Sequence, residues 1–211
     1  MMIINRVLML LITFIMPFVI SKHVDRAVSK VPIIAATLCY WCGVLLFSEN
    51  EKAILIAIIF GSMIIVEIFI DYWTQDIIPV YIYGAMILSG ILHLLFNEDL
   101  LGHLFNSVLV FLGYYVLYIL ARWYYKEEAF GFGDVLLILG IGFFMPKDFL
   151  ILASLLPFYL ALIHLIFLKI LGHKLDRSLK IPFGPYIGVS AIILYFVGDL
   201  ILKGFIFVFM R

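Results

Sequence analysis

The sequence predicts an all-α, polytopic membrane protein with six to eight transmembrane helices, eight being favoured. Three observations predict it. Apolar runs follow one another almost end to end, and about 20 apolar residues cross the hydrocarbon core of a bilayer as a helix. Hydrophobic residues fill 66% of the 211 positions and charged residues only 13%, so no stretch is polar enough for a separate soluble domain. The alternating pattern of a membrane barrel is absent, which leaves the helix as the way to satisfy backbone groups in lipid. The chain is therefore expected to form one integral-membrane domain, residues 1–211, with the lipid bilayer as its solvent. A formal net charge of zero gives no electrostatic case for binding nucleic acid.

The spans read in order as 4–20, 33–48, 53–70, 77–96, 101–120, 132–146, 149–168 and 183–202. The first region, Met1 to Ile20, has Arg6 followed by an apolar run, the outline of a secretory signal. No small-x-small cleavage site precedes Ser21 and further spans follow, so it is expected to be a retained helix. The second holds Cys39 and Cys42 as C-x-x-C. A zinc site usually needs four ligands and no second pair exists, so both are expected to be small buried residues. The second and sixth spans are short for a full crossing. The third and fourth bracket Asp71, and the fifth and sixth bracket Gly131-Phe132-Gly133-Asp134. Pro17, Pro157 and Pro185 are expected to kink helices. His93, His103 and His164 are scattered without metal-ligand spacing and are expected to serve helix packing. Asp199 is placed near the outer end of the last span. No cofactor and no metal site are expected.

Lys and Arg set the topology, because cytoplasmic loops carry their excess. Loops after spans one, three, five and seven hold nine: Lys22, Arg26, Lys30, Arg122, Lys126, Lys169, Lys174, Arg177 and Lys180. The opposite side holds five: Arg6, Lys52, Lys147, Lys203 and Arg211. The richer side is read as cytoplasmic, with both termini outside, although Arg6 alone argues the other way. On this reading Asp71 and Asp134 fall on the same, cytoplasmic, side.

These two aspartates are the candidate catalytic residues. A carboxylate at the edge of a bilayer is costly and is a functional candidate by default. Asp71 ends an apolar span, and the plain alternative is a helix-end carboxylate at the water interface. Asp134 begins one, and the plain alternative is a residue that favours the helix N-terminal dipole. Gly131 and Gly133 shift that balance, since they remove side chains beside the carboxylate and let another backbone approach. Two carboxylates at one site share a proton, because like charges a few ångströms apart do not both ionise easily. The ionised member can then activate water against a peptide carbonyl while the protonated member donates to the carbonyl oxygen.

Three stretches stand out: Asp71 ahead of Ile78-Pro79, Glu128-Ala129-Phe130-Gly131-Phe132-Gly133-Asp134-Val135, and Ile181-Pro182-Phe183-Gly184-Pro185-Tyr186. By these the chain resembles the type IV prepilin peptidases, a family of membrane aspartic peptidases that includes preflagellin peptidases. The second is close to the family's Glu-Ala-Met-Gly-x-Gly-Asp pattern and is the most specific. The third is similar to its Pro-Phe-Gly-Pro segment. The resemblance implies that Asp71 and Asp134 are the catalytic aspartates. It also implies a substrate partner: a prepilin or pseudopilin, cut on the cytoplasmic side between a short basic leader and an apolar helix, for pilus assembly or protein secretion. Gly131, Gly133, Glu128 and Glu67 are then the candidate substrate-binding residues. Glu67 lies four residues before Asp71 on the same helix face, placed to tune the pair or to bind a basic leader, the plain alternative being a pairing with another helix. Glu127 and Glu128 form an acidic rim suited to leader lysines, the plain alternative being a solvated loop.

The chain departs from the family in places. Seven residues separate Asp71 from Pro79, one more than usual, which makes Asp76 the competitor for the first catalytic position. Leu136 stands where a lysine is common. Cys39 and Cys42 do not match the paired C-x-x-C loop of long members, and the region tied to N-methylation is not recognisable, so the resemblance is to the short, peptidase-only branch. Signal-peptide-peptidase and presenilin relatives also use Gly-x-Gly-Asp, but their Tyr-Asp pair and Pro-Ala-Leu stretch are missing, Tyr72 following Asp71 instead of preceding it. The alternative from another class is a proton-coupled transporter or channel using paired carboxylates; the duplicated halves common in transporters are not visible.

Overall fold

In the computed structural model the described residues are 2–24, 29–48, 50–125, 131–173 and 181–209, without the side chains of 2–4, 125 and 204–209. Among them the chain forms eight α-helices: α1 (Met2–His23), α2 (Lys30–Phe47), α3 (Glu51–Thr74), α4 (Pro79–Leu95), α5 (Leu100–Tyr125), α6 (Phe132–Phe144), α7 (Leu150–Ile170) and α8 (Gly184–Phe209). A 3₁₀ turn, Lys147–Phe149, joins α6 to α7, and no strand occurs among the described residues. Six helices are long and apolar enough to cross a membrane, while α4 and α6 are shorter. The expectation of a polytopic helical membrane protein holds. Leu101, Phe105, Leu112 and Val116 on α5, and Ile151, Leu162 and Ile166 on α7, lie exposed; in water they would form an aggregating patch, and in a bilayer they meet lipid tails.

Several spans differ from expectation. The second was expected to be short, yet α2 reaches 18 residues. It starts before Pro32, because a proline in the first helical turn loses no intrahelical hydrogen bond. The fourth span loses Ile77 and Ile78 to the preceding loop. Pro79 takes the first helical position, and the residue before a proline is pushed out of helical conformation. Pro17 and Pro157 lie inside α1 and α7. Pro185 sits in the first turn of α8, where it starts the helix and has no kink to make. Asp199 is exposed within α8, which continues to Phe209. Cys39 and Cys42 are exposed, against the expectation of burial. The buried stripe of α2 is Ile33, Thr37, Tyr40, Trp41 and Val44, and the two cysteines fall outside it.

The chain divides into two compact units, Met1–Gly102 and His103–Arg211. In the first, α3 packs against α1, α2 and α4. Side chains lock these helices: Tyr40 donates its hydroxyl to Ala57 O at 2.8 Å, and Trp41 Nε1 donates to Thr13 Oγ1 at 3.0 Å. Gly61 permits the approach, because a Cβ there would lie 2.1 Å from the Tyr40 ring. In the second unit, α6 and α7 pack on α8. Gly142 of α6 meets α5 equally closely: a Cβ would lie 2.3 Å from Val110 Cγ2 and 3.0 Å from Ser107 Cα.

Candidate active site

Asp71 lies in the last turn of α3 and is 4% exposed. Its carbonyl accepts the N–H of Gln75, which ends the helix in the left-handed conformation at φ 60°. The chain then runs through Asp76, Ile77 and Ile78 to Pro79. One turn before Asp71, Glu67 is fully buried at 0% exposure and close enough to interact with it electrostatically. Glu67 Oε2 accepts the Ile78 N–H at 3.0 Å, across the loop from its own helix. Glu67 Oε1 is buried without a hydrogen-bond partner. At the same end of the unit, His23 Nε2 and the Tyr81 hydroxyl are hydrogen-bonded at 2.8 Å, joining the end of α1 to the first turn of α4. Asp76 is exposed in the loop, its N–H donating to Thr74 Oγ1 at 3.3 Å.

In the second unit, Asp134 is the third residue of α6 and is 6% exposed. Its Oδ2 accepts the N–H of Gly131, the residue that caps the helix, at 3.1 Å. The carboxylate therefore caps its own helix in the manner of a capping box and sits at the positive end of the helix dipole. Gly131 is exposed, and among the described residues a Cβ there would meet the Asp134 carboxylate, at 3.6 Å, and the Gly133 N, at 3.8 Å. Glu128, the remaining candidate for substrate binding, lies outside the described residues.

α6 has 13 residues, about 20 Å at 1.5 Å per residue, against a hydrocarbon core of about 30 Å. Its carbonyls must find partners inside the protein, and α5 supplies them. Ser107 Oγ donates to Leu139 O at 2.6 Å, His103 Nδ1 to Phe143 O at 2.8 Å, and Asn106 Nδ2 to Met145 O at 3.2 Å. The spacing of 103, 106 and 107 is one helix face, a signal readable in the sequence but missed there. Two of the histidines expected to serve helix packing do so, His103 as above and His164 with the Tyr186 hydroxyl, whereas His93 pairs with Glu98, at 2.7 Å, in the loop that follows its own helix. In the Pro-Phe-Gly-Pro stretch, Phe183 packs on Phe158 of α7 with ring centroids 5.0 Å apart. Among the described residues no three His, Cys, Asp or Glu side chains gather as a metal site.

A model of the type IV leader peptidase family matches residues 57–166, just over half of the chain. The chain belongs to that family. The matched span contains both aspartates, Glu67 and the glycines of the Gly-x-Gly-Asp stretch. The prepilin leader peptidase/N-methyltransferase of Haemophilus influenzae is 40% identical over 93 residues, which cover 41% of this chain and 35% of that protein. The chain thus spans about a third of the length of this relative. No solved structure matches the chain.

Proposed function

We propose that this member of the type IV leader peptidase family is an aspartic endopeptidase that removes the short basic leader from prepilins or pseudopilins. The observation that carries the reading is the pair of buried aspartates at helix ends, Asp71 and Asp134, inside the region that matches the family. The relative named above supplies the substrate class. The excess of Lys and Arg on one side of the membrane supports an active site facing the cytoplasm, in the cell membrane.

In this reading Asp71 and Asp134 act as a pair on one water, with one proton shared between them. The ionised carboxylate takes a proton from the water as it attacks the scissile carbonyl. The protonated partner donates to the carbonyl oxygen, and the tetrahedral intermediate collapses with a proton passed to the leaving amine. The pair titrates as a unit, so no single pKa belongs to either residue. The substrate backbone passes Gly131 and Gly133, and Glu128 meets leader cations. Leader removal alone is assigned, without N-methylation.

Co-expression with a prepilin tests this. Wild type is expected to shorten the prepilin, while Asp71→Asn and Asp134→Asn leave it full length at normal membrane levels. Ordinary processing by both variants would sink the proposal and favour the paired-carboxylate transporter, whose signature is proton-coupled flux in vesicles.

A further inference from the structure

We infer that Glu67 is a positioning residue for Asp71, pinning the last residue of the α3–α4 turn back onto α3 through the Ile78 amide. The inference rests on the proposed function and adds a residue that acts through another. A fully buried carboxyl inside an apolar helix is costly and calls for a structural return. Its hydrogen bond shows what that return is. Ile78 caps α4 but has no side-chain acceptor to offer, and Pro79 follows at the first helical position. The Ile78 N–H would be unsatisfied at the edge of lipid, where such a group is expensive. Glu67 Oε2 takes it at 3.0 Å.

The bond closes a loop. Asp71 stands one turn after Glu67 on α3, Gln75 turns the chain in the left-handed conformation, and Ile78 returns to Glu67. The segment that begins with Asp71 is therefore held at both ends, and the depth of the carboxylate relative to α4 is set. Full burial also removes Glu67 from the surface a basic leader would touch. Glu67 is thus assigned to geometry instead of to leader binding.

The test compares Glu67→Gln and Glu67→Leu with wild type, using purified protein in detergent, a prepilin substrate, and amide hydrogen exchange at Ile78. Gln keeps an oxygen acceptor. Leu removes it yet suits an apolar span, and thermal unfolding of both variants in detergent separates a loss of positioning from unfolding. Glu67→Leu is expected to lower kcat about 10- to 100-fold with KM within about threefold, the signature of misplacement instead of lost binding. Exchange at Ile78 should rise in Leu and stay slow in Gln, whose kcat should remain within about threefold of wild type. An unchanged kcat in Glu67→Leu overturns the inference, as does a raised KM alone, or a Gln variant as impaired as Leu. A wild type that cuts no prepilin overturns the proposed function and takes the positioning role with it; a normal wild type beside an unaffected Leu variant overturns the positioning role alone.

Discussion

The Asp71 and Asp134 regions solve the same local problem differently. Each lies beside a helix start whose capping residue, Ile78 or Gly131, has no side-chain oxygen to offer. At α6, Asp134 caps its own helix by accepting the Gly131 N–H. At α4, the corresponding bond comes from Glu67 on the preceding helix. A carboxylate tied into its own helix start is oriented by three residues of sequence. One standing at a helix end needs tertiary support to be oriented as well. The Asp134 region is therefore compact in sequence, and the Asp71 region is assembled from α3, the turn and α4. Both carboxylates are buried, so neither region reads as an ordinary solvated helix end.

The largest effects should come from the aspartates themselves. Replacing either by Asn is expected to lower the cleavage rate by at least about 10²- to 10⁴-fold, the scale of a lost acid or base. The comparison sharpens in the stability of variants at Asp134. The amide side chain of Asp134→Asn retains an oxygen to accept the Gly131 N–H, so that variant should unfold within about 0.5 kcal/mol of wild type. Asp134→Ala should lose the cap and about 1 kcal/mol. Thermal unfolding in detergent measures both. Equal stability of the Ala and Asn variants would break the claim that Asp134 caps its helix.

Glycines give the next contrast. Gly142→Ala drives a methyl group to 2.3 Å from Val110 Cγ2 and 3.1 Å from Asn106 O, and the second contact is backbone that cannot rotate away. A cost of about 1–3 kcal/mol is expected. Among the described residues a methyl group at Gly131 meets nothing closer than 3.6 Å, so Gly131→Ala should change stability by no more than about 0.5 kcal/mol. Its cleavage rate should nonetheless fall, with KM raised, because the added methyl fills the space assigned to the substrate backbone. Normal KM in Gly131→Ala would remove that glycine from the substrate path.

Sequence reasoning found what repeats or is concentrated. Apolar runs marked every helix, and the Gly-x-Gly-Asp stretch marked the more compact of the two aspartate regions because its capping partners are neighbours in sequence. It failed where the partner is elsewhere. Glu67 was legible as a carboxylate one turn from Asp71, but nothing in the sequence says that its oxygen reaches the Ile78 amide, since that depends on how the chain turns at Gln75. The exposure of Cys39 and Cys42 was missed for a related reason. Every face of α2 is apolar, so its buried stripe is chosen by Tyr40 and Trp41 finding polar partners on α3 and α1. The short length of α6 was visible, whereas its support by His103, Asn106 and Ser107 required seeing the two helices together.

The smallest expected effect decides the register of the Asp71 region. Seven residues separate Asp71 from Pro79, and Asp76 is the other carboxylate in that stretch. The two differ in environment: Asp71 is buried on the last turn of α3, while Asp76 is exposed in the turn, its backbone amide engaged with Thr74. An exposed carboxylate keeps ordinary hydration and lacks the enclosed, low-dielectric surroundings that make a shared proton possible. Asp76→Asn should therefore cleave a prepilin at a rate within about threefold of wild type, and its stability should move by no more than about 0.5 kcal/mol. The extra residue is then accommodated by the loop, with Gln75 left-handed. Loss of cleavage in Asp76→Asn with Asp71→Asn still active would reverse the two roles, and Glu67 would then be positioning the turn for Asp76.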